Sequence, residues 1–104
     1  MADLLFAATA HALVVAERDG ENWREVGRGL EGRHVTCVTV HGDTVHAGTT
    51  EGAFRSLDRG RSWQESNEGL AERHVRWLAQ HPGDPAVLYA ETEPATIHVS
   101  HDAA

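Results

Sequence analysis

Apolar and polar residues along this chain change places over short distances, in runs of four to six separated by turn residues. Residues 35–40 (Val35-Thr36-Cys37-Val38-Thr39-Val40) carry a strong β-branched bias and read as a strand. His41-Gly42-Asp43 follows as a turn, and residues 44–48 read as a second short strand. Thr50-Glu51-Gly52 turns again before a third strand at 53–56. Asp58-Arg59-Gly60 is the tightest turn, and a fourth strand is expected over 62–65, running through Trp63. Three comparable strands precede this set, at 4–8, 12–16 and 22–26, and three follow it, at 75–80, 87–91 and 96–100. One segment competes with this pattern. Leu70, His74, Trp77 and Leu78 fall at helical spacing behind Asn67, a residue suited to an N-cap.

That competition is decided by an internal repeat. Shifted by 40 positions, Gly20 falls on Gly60, Trp23 on Trp63, Gly29-Leu30 on Gly69-Leu70, and Arg33-His34-Val35 on Arg73-His74-Val75. The partner of the helix-like segment is therefore the stretch holding Val35, Val38 and Val40, which disfavours helix. Both copies are expected to be strands. A third copy begins with Ser100 and Asp102, now 44 positions after Ser56 and Asp58. The extra length is taken up in a longer turn, His81-Pro82-Gly83-Asp84-Pro85, and at Glu93-Pro94. A period near 40 with four short strands is the signature of a β-propeller blade, whereas solenoid repeats of this period are usually helical. The expected fold is all-β: antiparallel four-stranded blades, about two and a half of them. Residues 1–30 form a degenerate first blade, 31–70 a complete one and 71–104 a truncated third. A closed ring usually needs four to eight blades. Two explanations stay open: a piece of a longer protein, or copies that assemble as a homo-oligomer and share terminal strands.

Composition narrows the partners. The 104 residues carry a net charge of −7, and all nine basic residues are arginine. An acidic chain repels phosphate backbones, so nucleic acid is disfavoured. Arginine without lysine suits a salt-rich cytoplasm and equally a GC-rich genome. The single cysteine, Cys37, forms neither an intramolecular disulfide nor a thiolate zinc site alone, and its strand context marks it as a small buried hydrophobe. The N-terminus shows no basic region followed by an apolar stretch, and no apolar run approaches the ~20 residues that span a bilayer. A soluble, cytoplasmic protein without membrane partners is expected.

The sharpest local pattern is Ser56-Leu57-Asp58-Arg59-Gly60-Arg61-Ser62-Trp63, which fits Ser-x-Asp-x-Gly-x-Ser/Thr-Trp at every defined position. This resembles the Asp box, or BNR repeat, of sialidases, sortilin-type receptors and the photosystem II assembly and stability factors. The lead-in Val45-His46-Ala47-Gly48-Thr49-Thr50-Glu51-Gly52-Ala53-Phe54-Arg55-Ser56 is similar to that of the wider group. Physically the pattern suits a hairpin: Asp58 accepts backbone N–H bonds, Gly60 supplies a positive φ, and Trp63 folds a large ring beneath the turn. The resemblance implies that Ser56, Asp58, Gly60, Ser62 and Trp63 are structural and peripheral. In the first copy Ala16, Arg18, Gly20 and Trp23 occupy the Ser, Asp, Gly and Trp positions. The turn glycine and the anchor remain, the carboxylate is lost, and Asp19 stands one position off. In the third copy Ala104 takes the glycine position.

A catalytic set does not assemble from these residues. The resemblance to sialidases implies a Tyr nucleophile with a Glu partner, an Asp acid/base and three arginines. Tyr89 is the only tyrosine, followed by Glu91, and the arginines fall mostly in turns. Eight histidines, among them His34, His41, His46, His74, His98 and His101, lack the spacing of a helical metal motif. They are expected on the surface or in packing, and Trp77 and Tyr89 in the core. No metal or cofactor is expected. The leading function is a non-catalytic propeller module for protein–protein interaction or scaffolding, with an unknown protein or glycan as ligand. The alternative is a fragment of a sialidase-like or other glycoside-hydrolase-like enzyme.

Overall fold

The structure, a computed structural model, describes residues 3–67, 70, 73–93 and 96–101. Gly69 of the second Gly-Leu pair, Pro94, and Asp102 and Ala104 of the third box lie outside the described residues. Within them the chain is all-β, in three antiparallel meanders. The first sheet holds β1 (Leu4–Ala8), β2 (Leu13–Asp19) and β3 (Asn22–Gly29). The second holds β4 (Val35–His41), β5 (Thr44–Thr49), β6 (Gly52–Ser56) and β7 (Gln64–Glu65). The third holds β8 (His74–His81), β9 (Asp84–Glu93) and β10 (Thr96–Ser100). In each sheet, sequence neighbours are also sheet neighbours. The sheets stack as successive blades of a β-propeller, β1 against β4 and β4 against β8.

The repeat is visible in the strand pairing. Leu5 pairs with Ala16 and Ala7 with Val14, and 40 positions on Val45 pairs with Ser56 and Ala47 with Phe54. The first sheet therefore corresponds to β5, β6 and β7 of the middle blade. Among the described residues, no strand stands in the place of β4. In the third sheet the row Leu78–Ala90–His98 matches Val38–Ala47–Phe54. There β8, β9 and β10 correspond to β4, β5 and β6. Both innermost strands, β4 and β8, carry a bulge at the same place, between Val35 and Cys37 and between Val75 and Trp77. A bulge preserved at equivalent positions marks a feature of the blade, not an accident of one strand.

Each blade buries one face against its neighbour. Between the first and second blades Leu13, Val35 and Ala47 form the core, with Phe6, Leu30, Val38 and Trp63 packed against it. Between the second and third, Val75 is fully buried and sits against Gly48, where a Cβ would come within 2.6 Å of its methyl. Glycine at 48 is thus what lets β5 and β8 approach. The Thr36 hydroxyl donates across this junction to the Val75 carbonyl and lies 3.1 Å from that of Gly48. Each fully buried Leu or Val contributes roughly 1.5–3 kcal/mol, so Leu13, Val45 and Val75 weigh heavily in so small a fold. This packing is also why the helix-spaced segment is a strand: β8 has both a paired neighbour in β9 and a buried face toward the second blade.

Several expectations are corrected. Trp77, expected in the core, is 49% exposed: the bulge before it turns its ring away from the second blade and gives the inward position to Leu78. The strand expected over 62–65 begins only at Gln64, because Ser62 and Trp63 are held by the preceding turn. The turn expected to reach Asp84 and Pro85 is shorter, and β9 resumes at Asp84, which pairs with His81.

Candidate functional site

The loop between β6 and β7 is built around Ser56 and Asp58. Ser56 is almost fully buried; its hydroxyl donates to Asp58 Oδ1 at 2.8 Å and accepts the Gly60 N–H at 2.7 Å. Asp58 Oδ1 also accepts the Ser62 N–H at 2.9 Å, and Oδ2 accepts the Ser62 hydroxyl at 2.7 Å. Arg59 and Gly60 both take positive φ, 61° and 87°, the second at no steric cost. Arg59 ties the loop to the β4–β5 turn, its side chain at 2.6 Å from Asp43 Oδ1 and its N–H bonded to the Asp43 carbonyl. Trp63 donates its indole N–H to the Gly60 carbonyl at 3.1 Å. Its ring lies so close to Gly29 that a side chain there would collide with it. The Ser62 hydroxyl and N–H, with the Ser56 hydroxyl, hold the Asp58 carboxyl down at about 2. A carboxylate with its oxygens occupied by its own loop is poorly placed for acid–base work near neutral pH.

The first copy is a different object. Gly20 (φ 65°) sits in a two-residue hairpin closed by the pair Asp19–Asn22. Arg18, in the aspartate position, donates to the Gly20 carbonyl instead. Trp23, expected to anchor as Trp63 does, is 48% exposed. Trp63, by contrast, reaches back between the first and second blades and packs against their core.

A cavity of about 120 Å³ lies between the second and third blades. His46 (β5), Ala53 (β6), Leu70, Leu78 (β8), Ala90 (β9) and His98 (β10) contribute to its walls. His46 is 3% exposed, and the Nε2 atoms of His46 and His98 are buried without a hydrogen-bond partner. Burial, seconded by the Arg55 charge across the strand pair, lowers the His46 imidazole to about 4. At neutral pH it is an uncharged ring that can accept or donate one bond at Nε2. The expectation of surface or packing roles for the histidines did not single out these two. Their shared cavity becomes visible only when strands are matched by pairing register, where the offset between repeats is no longer a constant 40.

The remaining candidates do not converge. Cys37 is half-buried, and burial pushes its thiol up, away from the reactive thiolate. Tyr89, expected in the core, is half-buried on the cavity wall. Arg18, Arg24 and Arg28 on the first sheet, Arg76 on the third, and Arg33 and Arg59 in the loops before β4 and after β6 each pair with a carboxylate at the surface. Among the described residues no group of three or more His, Cys, Asp and Glu is placed to hold a metal ion, and no helix is long and apolar enough to cross a membrane.

Comparison with known proteins adds a fold relationship. No protein-family description matches the chain, and no curated protein matches it. A solved structure of YCF48 bound to D1 peptide is similar, with a TM-score of 0.62 at 19% identity over 99% of this chain. The chain spans 41% of the length of that neighbour. At this identity the likeness speaks for the fold.

Proposed function

We propose that this chain is a non-catalytic Asp-box propeller segment that binds protein partners through an extended segment. The observation that carries the reading is the structural likeness, over 99% of this chain, to YCF48 bound to D1 peptide. Two features of the chain support it. The Asp58 carboxylate is engaged by its own loop at both oxygens, as suits a hairpin fastening of the Asp-box type. The arginines paired at the surface are spread over the first and third sheets and two loops and are not gathered into a carboxylate clamp. A panel of extended peptides, the D1 peptide among them, presented to the immobilised chain tests the reading, alongside a fluorogenic sialoside. Saturable binding of at least one peptide without turnover is expected. Sialoside hydrolysis by the chain would overturn it in favour of a sialidase-like fragment.

A further inference from the structure

A groove of about 400 Å³ lies between the first sheet and the loop that follows β6. On the sheet side, Leu4, Val15 and Val26 give it an apolar floor, and Gly27 leaves part of that floor bare. A Cβ added at Gly27 would meet nothing within 4 Å. On the loop side stand Arg59, Gly60 and Arg61. At Gly60 the loop rests directly on the sheet: an added Cβ would lie 3.4 Å from the Phe6 ring, 3.5 Å from Val15 and 3.6 Å from Trp63. Both walls therefore belong to the packed junction of the first and second blades. The volume falls within the roughly 300–1,000 Å³ of small-molecule sites.

The charge of this groove runs against that of the molecule. The chain carries a net −7, yet the walls hold three arginines, Arg28, Arg59 and Arg61, and one carboxylate, Glu17. Glu17 is itself engaged by Arg24 at 3.4 Å. The carboxylates that hold two of the arginines stand off the walls. Arg28 donates from Nε and Nη2 to Glu25 at 2.7 and 3.0 Å, and Arg59 donates from Nε to Asp43 at 2.6 Å. Asp43 and Asp58 line a separate hollow beside Leu57. Those bonds fix each guanidinium and leave it further N–H donors, since the group carries five. Arg61 is in no ion pair among the described residues. Arg59 is moreover held at φ 61°, a left-handed backbone that costs a residue with a Cβ. Non-glycine residues kept in that conformation cluster at ligand sites.

We infer that this groove binds a small amphiphilic anion, a single aliphatic chain ending in an oxyanion. The chain lies along Leu4, Val15 and Val26 over Gly27, and the head is held by Arg61 with Arg28 and Arg59. An apolar lining with a few placed polar groups is the general construction of a ligand site. Guanidinium groups take carboxylates and phosphates in the same forked geometry, and such charge-assisted bonds are about twice as strong as neutral ones. The site is distinct from the peptide-binding reading, and neither depends on the other.

Octanoate, octyl phosphate, octanol and acetate, each titrated into the native chain, test the site. Calorimetry gives the affinity, and backbone amide signals in NMR give the location. An octyl anion is expected to bind one to one and to shift the amides of Val15, Val26 and Gly27. The tighter of octanoate and octyl phosphate assigns the head as carboxylate or phosphate. Octanol has the chain without the charge and acetate the charge without the chain, and each is expected to bind about tenfold or more weaker. Arg61→Gln should weaken the anion about tenfold at unchanged melting temperature. Gly27→Leu, whose side chain stands in the groove, should abolish binding; Arg61→Gln carries the same test where that variant fails to fold. Octanol binding as tightly as the anions overturns the site. So do anion shifts confined to residues outside the groove, undiminished binding by folded Gly27→Leu, and no binding of either anion. Each of these leaves the protein-binding reading to the peptide panel.

Discussion

Asp58 and His46 show how differently two ionisable side chains serve one small blade. Asp58 is solvent-exposed, yet its carboxylate closes the β6–β7 loop through Ser56 and Ser62. Replacing it with alanine removes the acceptor for the Ser62 N–H and hydroxyl, and the melting temperature is expected to fall by about 5–10 °C. Peptide affinity should stay unchanged; lost affinity at unchanged stability would mean that Asp58 belongs to a binding site. Its folded-state carboxyl is held at about 2 against 3.8 in a free chain. Its contribution is therefore intact above pH 4 and is lost as pH falls toward 2. His46 titrates higher and for another reason. Its imidazole lies near 4 when folded and 6.5 when free. The unfolded chain binds the extra proton between those values, so stability is full above about pH 6.5 and declines as pH falls to 4. The loss amounts to about 3 kcal/mol. Facing His46 are Arg55 from β6 and, around the shared cavity, Tyr89 from β9 and His98 from β10. In His46→Phe, which copies Phe6, urea denaturation between pH 7 and 4.5 should lose most of this slope. An unaltered slope would assign it to other groups.

At the scale of strands, close approach is set by a few small residues. Gly48 sits where β5 meets β8, and a Cβ there would lie 2.6 Å from Val75. Gly48→Ala should cost about 1–3 kcal/mol, because the new methyl meets both Cys37 Sγ on β4 and Val75 on β8 and must push one or both away. Equilibrium denaturation measures this, and a neutral result would show that the blades slip apart without penalty. The strands themselves were legible from β-branched alternation and turn residues. Even 74–81, with its helical spacing, was legible through its repeat partner at 34–41. What escaped was the direction of particular side chains. Trp77 and Leu78 are adjacent in sequence, and only the bulge after Val75 decides which of them faces inward. The loop of 56–63 was readable because its chemistry is local: a serine, an aspartate and a glycine within five residues. The His46–His98 cavity was not, because it is assembled by strand pairing across more than 50 positions and falls where the repeat offset drifts.

Across the whole molecule, the three sheets amount to one structural rule applied twice. The inward row of one blade packs on the next, and the residue that seals the outer end of the first junction is Trp63. Trp23, its counterpart in sequence, stands half exposed. The first hairpin does without a carboxylate because Asp19 pairs with Asn22 and Arg18 donates to the Gly20 carbonyl. The packing of the first two blades depends on Trp63 lying between them. The most direct measurement is the set of nuclear Overhauser contacts made by the indole N–H and ring protons of Trp63 in the native chain. The packing described here predicts contacts to the Gly29 α-protons and to the rings and methyls of Phe6 and Leu30, with no corresponding inter-blade set from Trp23. A Trp63 indole that shows only contacts within its own loop, and is quenched by solvent as readily as Trp23, would contradict it.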